Sequence, residues 1–207
     1  YGNHHVARVE IGPIDDIVTT IAGDIIHRDC DLIAMSGGLS PAVHLHSQAR
    51  GKLQWDDKKL CFKPSTTHEA SFNAGAGNGT FDLASAIKEG IRCGARAASE
   101  AGFKNNMADS PSVAIPKQRW TPLAAWKIPT AHAEGAGPKA FVDFQNDVTA
   151  NDVGLAAREG YQSVEHLKRY TMLGMATDQG KPANIVGLAL MAEARGVSIP
   201  EVGTTTF

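Results

Sequence analysis

Between residues 139 and 207 one local signal recurs three times: a residue that opens a helix, then a glycine that closes it. Thr149 can cap a helix over Ala150 to Glu159, Asp152 places a carboxylate in its first turn, and Gly160 ends it. Ser163 can cap a second, Val164 to Leu173, stopped by Gly174. Pro182 can start a third, Ala183 to Arg195, ended by Gly196. Phe141 to Phe144 precedes them as a short strand-like start. The spacing leaves room only for short helices, so the segment reads as a small all-α module.

The first half reads differently. His5 to Ile11 is rich in Val and Ile and predicts a strand ending at Gly12-Pro13. Asp29 to Met35 is an apolar run that enters Ser36-Gly37-Gly38, the pattern of a buried strand meeting a tight turn. Lys52 to Trp55 and Leu60 to Phe62 flank Asp56-Asp57 as a hairpin. A glycine-rich turn, Asn73 to Thr80, then leads directly into a long helical pattern. Leu83, Ala86, Ile87, Gly90, Cys93, Gly94, Ala97 and Ala98 share one face, and Asp82 lies in the first turn. These small residues predict close packing against another backbone. Residues 1–105 therefore read as α/β, and 106–138, rich in proline, as an extended linker in which Trp120 and Trp126 anchor the chain or form an aromatic platform.

A glycine turn ahead of a helix offers free amides and the positive end of the helix dipole to an anion. Gly75, Gly77, Gly79 and Thr80 have that arrangement, although spacing alone equally fits a plain tight turn. His44-x-His46 lacks a third ligand at motif spacing, so no metal site is expected. Glu165 and Arg169 form an i,i+4 pair on a solvated face. No side chain stands out as a catalytic acid, base or nucleophile. A net charge of −2 argues against nucleic acid as a partner. No apolar run is long enough to span a membrane, and no leader pattern is visible. Cys30, Cys61 and Cys93 are far apart and odd in number, which fits a reducing, cytoplasmic setting.

The phrases FVDFQNDVT, REGYQSVEHLKRYT, GMATDQGK and IPEVGTTTF resemble the α subunits of heterotetrameric sarcosine oxidases and of related opine and amino-acid dehydrogenases. The resemblance implies a central piece of a much longer subunit, since the chain starts at Tyr1 and stops inside a phrase that the family continues. CDLIAMSGG and AGAGNGTFDLASAIKEG are similar to the last third of a Rossmann-like, two-dinucleotide-binding flavoprotein domain. A noncovalent NAD is thereby implied, with Ser36, Gly37, Gly75, Gly77, Gly79 and Thr80 as a partial site.

The module at 139–207 is similar to the [2Fe–2S] domain of bacterioferritin-associated ferredoxin. Asp143, Gln145, Asp178 and Ala183 stand where cluster-binding members carry cysteines. Cluster ligation needs thiolates, and no cysteine lies between 139 and 207, so no [2Fe–2S] cluster is expected. The family instead implies an FMN at the boundary with a β subunit, which also carries FAD. Asn146, Arg169, Thr171, Thr177, Asp178, Gln179 and Lys181 are the expected lining on this side, with helix capping and mutual pairing as the alternative. The family's Thr-Ser-Asn and second Asn are replaced here by Pro182-Ala183-Asn184 and Val186. By the same resemblance, β, γ and δ subunits are partners, and sarcosine is demethylated with oxygen as acceptor. Tetrahydrofolate would bind through a domain outside this chain. The rival expectations are an opine or proline dehydrogenase subunit, or a non-catalytic assembly module.

Overall fold

The computed structural model describes residues 4–18, 20–104, 111, 113, 121–129, 137–181 and 183–204. The chain divides into two compact units, one drawn from 1–37 and 124–204, the other from 38–123. The sequence-based boundaries at 105 and 139 thus differ from this grouping, which joins the N-terminal hairpin to the C-terminal module. Among the described residues of 106–138, 121–129 contain no helix or strand; Trp126 is half-buried, and Trp120 lies outside the described residues.

In the first unit, β1 (Arg8–Ile11) pairs antiparallel with β2 (Ile26–Asp29), and Arg8 meets Asp29 at 2.7 Å. The strand expected over 29–35 does not form. The pairing with β1 ends at Asp29, and Leu32 and Met35 are 78% and 68% exposed. An apolar run without alternation cannot say which of its residues pair, and here the pairing falls on Ile26–Asp29.

The second unit opens with a short helix, α1 (His44–Gln48), followed by the antiparallel hairpin β3 (Leu53–Asp56) and β4 (Cys61–Pro64). Trp55 and Phe62 face each other across it with ring centroids 5.0 Å apart, and Lys63 Nζ reaches Asp56 Oδ2 at 2.7 Å. A 3-10 turn, Gly75–Asn78, then precedes α2 (Leu83–Glu100). Asp82 is the N-cap of α2 rather than a first-turn residue, accepting from Ser85 N at 2.8 Å. The small-residue face is less covered than expected: a Cβ placed on Gly90 or Gly94 would meet nothing within 4 Å.

The rest of the first unit holds the main core. β5 (Phe141–Asp143) and β6 (Val148–Thr149) form a two-stranded antiparallel ribbon, so this module carries a strand pair beside its helices. Four helices follow: α3 (Ala150–Arg158), α4 (Val164–Thr171), α5 (Asn184–Arg195) and α6 (Ile199–Val202). All three sheets among the described residues are two-stranded and antiparallel, and no parallel pair occurs among them. The fold is thus mixed α and β.

Thr149 caps α3 as expected and forms a capping box with Asp152, and Ser163 Oγ accepts from His166 N. α4 stops earlier than expected, because Met172 turns left-handed (φ 67°) two residues before Gly174. The expected helix start at Pro182 lies outside the described residues. α6, which was not expected, is opened by Glu201, whose carboxylate accepts from Ser198 N and Oγ at 2.8 and 2.6 Å.

α5 is buried nearly all round, from Gly187 to Ala192, and it packs against α3 and α6 while α3 packs against α4. Val153, Leu167, Leu173 and Met191 are sealed from solvent. Gly187 lets α5 approach this core: a Cβ there would lie 2.3 Å from Leu173 Cδ2. Gly187→Ala gains about 1 kcal/mol of helix propensity, but the overlap with the buried Leu173 costs about 1–3 kcal/mol. A net destabilisation is expected in urea titration, and an unchanged or raised midpoint would show that Leu173 can repack.

Candidate functional site

The ribbon turn and the 172–181 loop are tied together by one buried carboxylate. Asp143 is 2% exposed. Its Oδ1 accepts from the backbone N–H of Gln145 (2.9 Å) and Asn146 (3.2 Å). Its Oδ2 accepts from Gly174 N, 31 residues away in sequence, at 2.8 Å. Burial opposes its ionisation, but the hydrogen bonds from Gly174, Asn146 and Gln145 outweigh this and hold the carboxyl below the usual range. Asn146 adds a bond from Nδ2 to Met172 O at 2.9 Å, and Thr177 Oγ1 donates to Gln145 Oε1 at 2.9 Å.

The loop has an unusual backbone. Met172 and Gln179 adopt positive φ (67° and 57°), as does Asp147 in the facing turn (56°). Non-glycine residues rarely do so, and such positions concentrate at functional sites. Gly174 and Gly180 have φ of 66° and 70°, and both lie against the Asn184 side chain. Asn184 Nδ2 donates to Gln179 O at 3.4 Å, while Asn184 Oδ1 is buried without a hydrogen-bond partner. Around this polar centre Phe144, Met172 and Met175 are 62%, 51% and 53% exposed, and Phe144 packs on Phe141 with centroids 5.4 Å apart.

The expected lining residues therefore separate into groups. Asn146 and Thr177 join the centre directly. Asp178 turns inward on its own loop, where Oδ1 accepts from Gly180 N at 3.2 Å. Gln179 contributes its carbonyl to Asn184. Thr171 is spent on the end of α4: its hydroxyl donates to Leu167 O (2.8 Å) and accepts from Leu173 N (3.2 Å). Arg169 is exposed and pairs with Glu165 at 3.7 Å, and Lys181 is exposed. Asp143 and Asn184 organise the site although neither was expected to line it. In the sequence Asp143 stood out by the resemblance to cluster-binding domains and Asn184 as a residue just after a two-glycine loop, but neither signal pointed to the contacts that they make.

Of the four positions that the resemblance led us to compare with cluster cysteines, Asp143 and Gln145 lie together in the ribbon turn, and Gln145 bonds to Thr177, next to Asp178. These two stretches meet through hydrogen bonds.

In the other unit, the Asn73–Thr80 turn is also organised by a carboxylate. Gly75 N donates to Glu89 Oε2 at 2.8 Å and Asn78 Nδ2 to Glu89 Oε1 at 2.6 Å. Gly79 N and Thr80 N both bond within the turn, and Lys59 Nζ donates to Gly79 O. Ser36 and Gly37 belong to the first unit; both are exposed and outside regular structure. His46 is buried, with Nε2 2.9 Å from Lys52 O and Nδ1 3.1 Å from Asn73 Nδ2, so both ring nitrogens are engaged within the fold.

Residues 137–207 match the family model described as the sarcosine oxidase A3 domain. The chain is 40% identical over 182 residues to the sarcosine oxidase subunit alpha of Corynebacterium sp. (strain P-1), covering 86% of this chain and 19% of that protein. It is 43% identical over 182 residues to the subunit alpha of Rhizobium meliloti (strain 1021), covering 86% of this chain and 17% of that protein. It thus spans about one-fifth of the length of these relatives. The fold is similar to that of L-proline dehydrogenase from P. horikoshii, with a TM-score of 0.61 at 18% identity, covering all of this chain and 40% of that one. No helix among the described residues is long and apolar enough to cross a membrane.

Proposed function

Since the chain belongs to the sarcosine oxidase α-subunit family, we propose that it is the part of an α subunit that presents the 172–181 loop to a flavin shared with a partner subunit. The enzyme it serves would oxidise sarcosine, with oxygen as acceptor. The observation that carries this reading is the 40–43% identity over most of the chain to proteins named sarcosine oxidase subunit alpha. FMN, when bound, would supply the electron-transfer chemistry; FAD would belong to the partner.

The donor set fits such a group. Lys181 is an exposed cation suited to a phosphate, Gln145 and Thr177 offer an amide and a hydroxyl, and Phe144, Met172 and Met175 form an apolar rim suited to an aromatic ring. Asp143 holds the two backbone segments that carry these groups. Its role is positioning, because its two carboxylate oxygens accept from backbone N–H groups of both segments.

The test uses the full α subunit that contains this segment, produced with its partners. Lys181→Ala should weaken flavin retention by about tenfold or more, the scale of one lost charged hydrogen bond. Flavin absorbance after dialysis reads this. Full retention in the variant would remove Lys181 from the site. Oxygen uptake with sarcosine, and no greater uptake with proline or opines, is the expected substrate profile; no oxygen uptake, with an added artificial electron acceptor reduced by proline or an opine instead, would assign the complex to a related dehydrogenase.

A further inference from the structure

We infer that the Gly75–Thr80 turn is closed to phosphate by the chain's own Glu89, whose carboxylate takes the place that an anion would occupy. A glycine turn before a helix binds phosphate only when its amides are free. Here the Gly75 amide and the Asn78 side chain grip both oxygens of Glu89, at 2.8 and 2.6 Å. The amides of Gly79 and Thr80 donate to Ala76 O and Gly75 O, each at 3.0 Å. The N-terminus of α2 is served by Asp82.

Two of the nearby cations are engaged as well. Lys59 donates to Gly79 O, and Lys63 pairs with Asp56 at 2.7 Å. Burial works against the charge on Glu89, yet the bonds from Asn78, Gly75 and Thr80, with Arg92 nearby, hold its carboxyl below the usual range. Glu89 is thus ionised at neutral pH, and a phosphate oxygen would have to displace one carboxylate and face a second at Asp82. The pyrophosphate of the implied NAD does not fit this turn, and a dinucleotide held by the parent subunit would need other residues for its phosphates. The inference concerns the second unit and stands independently of the flavin reading.

Nitrogen-15 NMR of the chain tests it through the Gly75 amide. Titration with inorganic pyrophosphate, and separately with NAD, should leave that resonance without a saturable shift; a saturable shift in either titration would overturn the inference. In acid, protonation of Glu89 should move the Gly75 amide in a single step that lies below the ordinary glutamate range. Glu89→Gln should abolish that step, and its persistence in the variant would show that another group holds the amide.

Discussion

Asp143→Ala is expected to cost about 3–5 kcal/mol of stability, because three backbone N–H groups lose a charged acceptor at once. Gly174 N lies in a buried setting and gains no water in exchange. The 172–181 loop would come away from the β5–β6 turn, leaving only the Asn146–Met172 and Gln145–Thr177 bonds. Asp143→Asn should fare little better, since one of its two acceptor positions becomes an NH2 group facing a donor. Urea unfolding followed by circular dichroism measures both, and a loss under about 1 kcal/mol in the alanine variant would show that the carboxylate does not link the two segments.

The pH dependence has a definite sign. The folded carboxyl titrates below its ordinary range, so its contribution is fully present above about pH 4 and is lost as the pH falls through the folded value. The gap between the native chain and Asp143→Ala should therefore narrow in acid and stay constant from pH 5 to 7. A gap that widened below pH 4 would contradict this.

Gly174→Ala is expected to cost about 2–5 kcal/mol, from two separable sources. Left-handed backbone costs an L-residue about 1–2 kcal/mol. The new methyl would also lie 2.2 Å from Asn184 Oδ1 and 3.0 Å from Gly180 Cα, an overlap worth about 1–3 kcal/mol. Asn184→Ala removes the first obstacle and leaves the backbone strain. In that background Gly174→Ala should cost about 1–3 kcal/mol less, and the double-mutant cycle reads the difference. Strict additivity would mean that Asn184 does not fill the space between the two glycines.

Much of the helical part was legible because its signals are local. Thr149, Ser163 and Gly196 act within one helical turn, and each sits where a cap requires it. The Ser198–Glu201 pair is an equally local signal that also marks a helix. The β3–β4 hairpin was legible from Asp56-Asp57 between two apolar runs. The strand expected over 29–35 failed for the opposite reason: strand formation needs a partner, and a partner is not a local property.

The site divides along the same line. That 174–181 is a polar, glycine-rich loop opening a helix is visible in the chain, as are the absence of cysteine from 139 to 207 and the resemblance that names the family. Tertiary structure alone decided that Asp143 reaches across 31 residues to Gly174, and that Thr171 is consumed by its own helix. It alone placed Glu89 on the Gly75 amide. A carboxylate's role depends on which amide it meets, and the pairing of distant groups is set by how the elements within each unit pack. Composition and spacing specify which donors and acceptors exist; only the folded chain specifies which of them remain free.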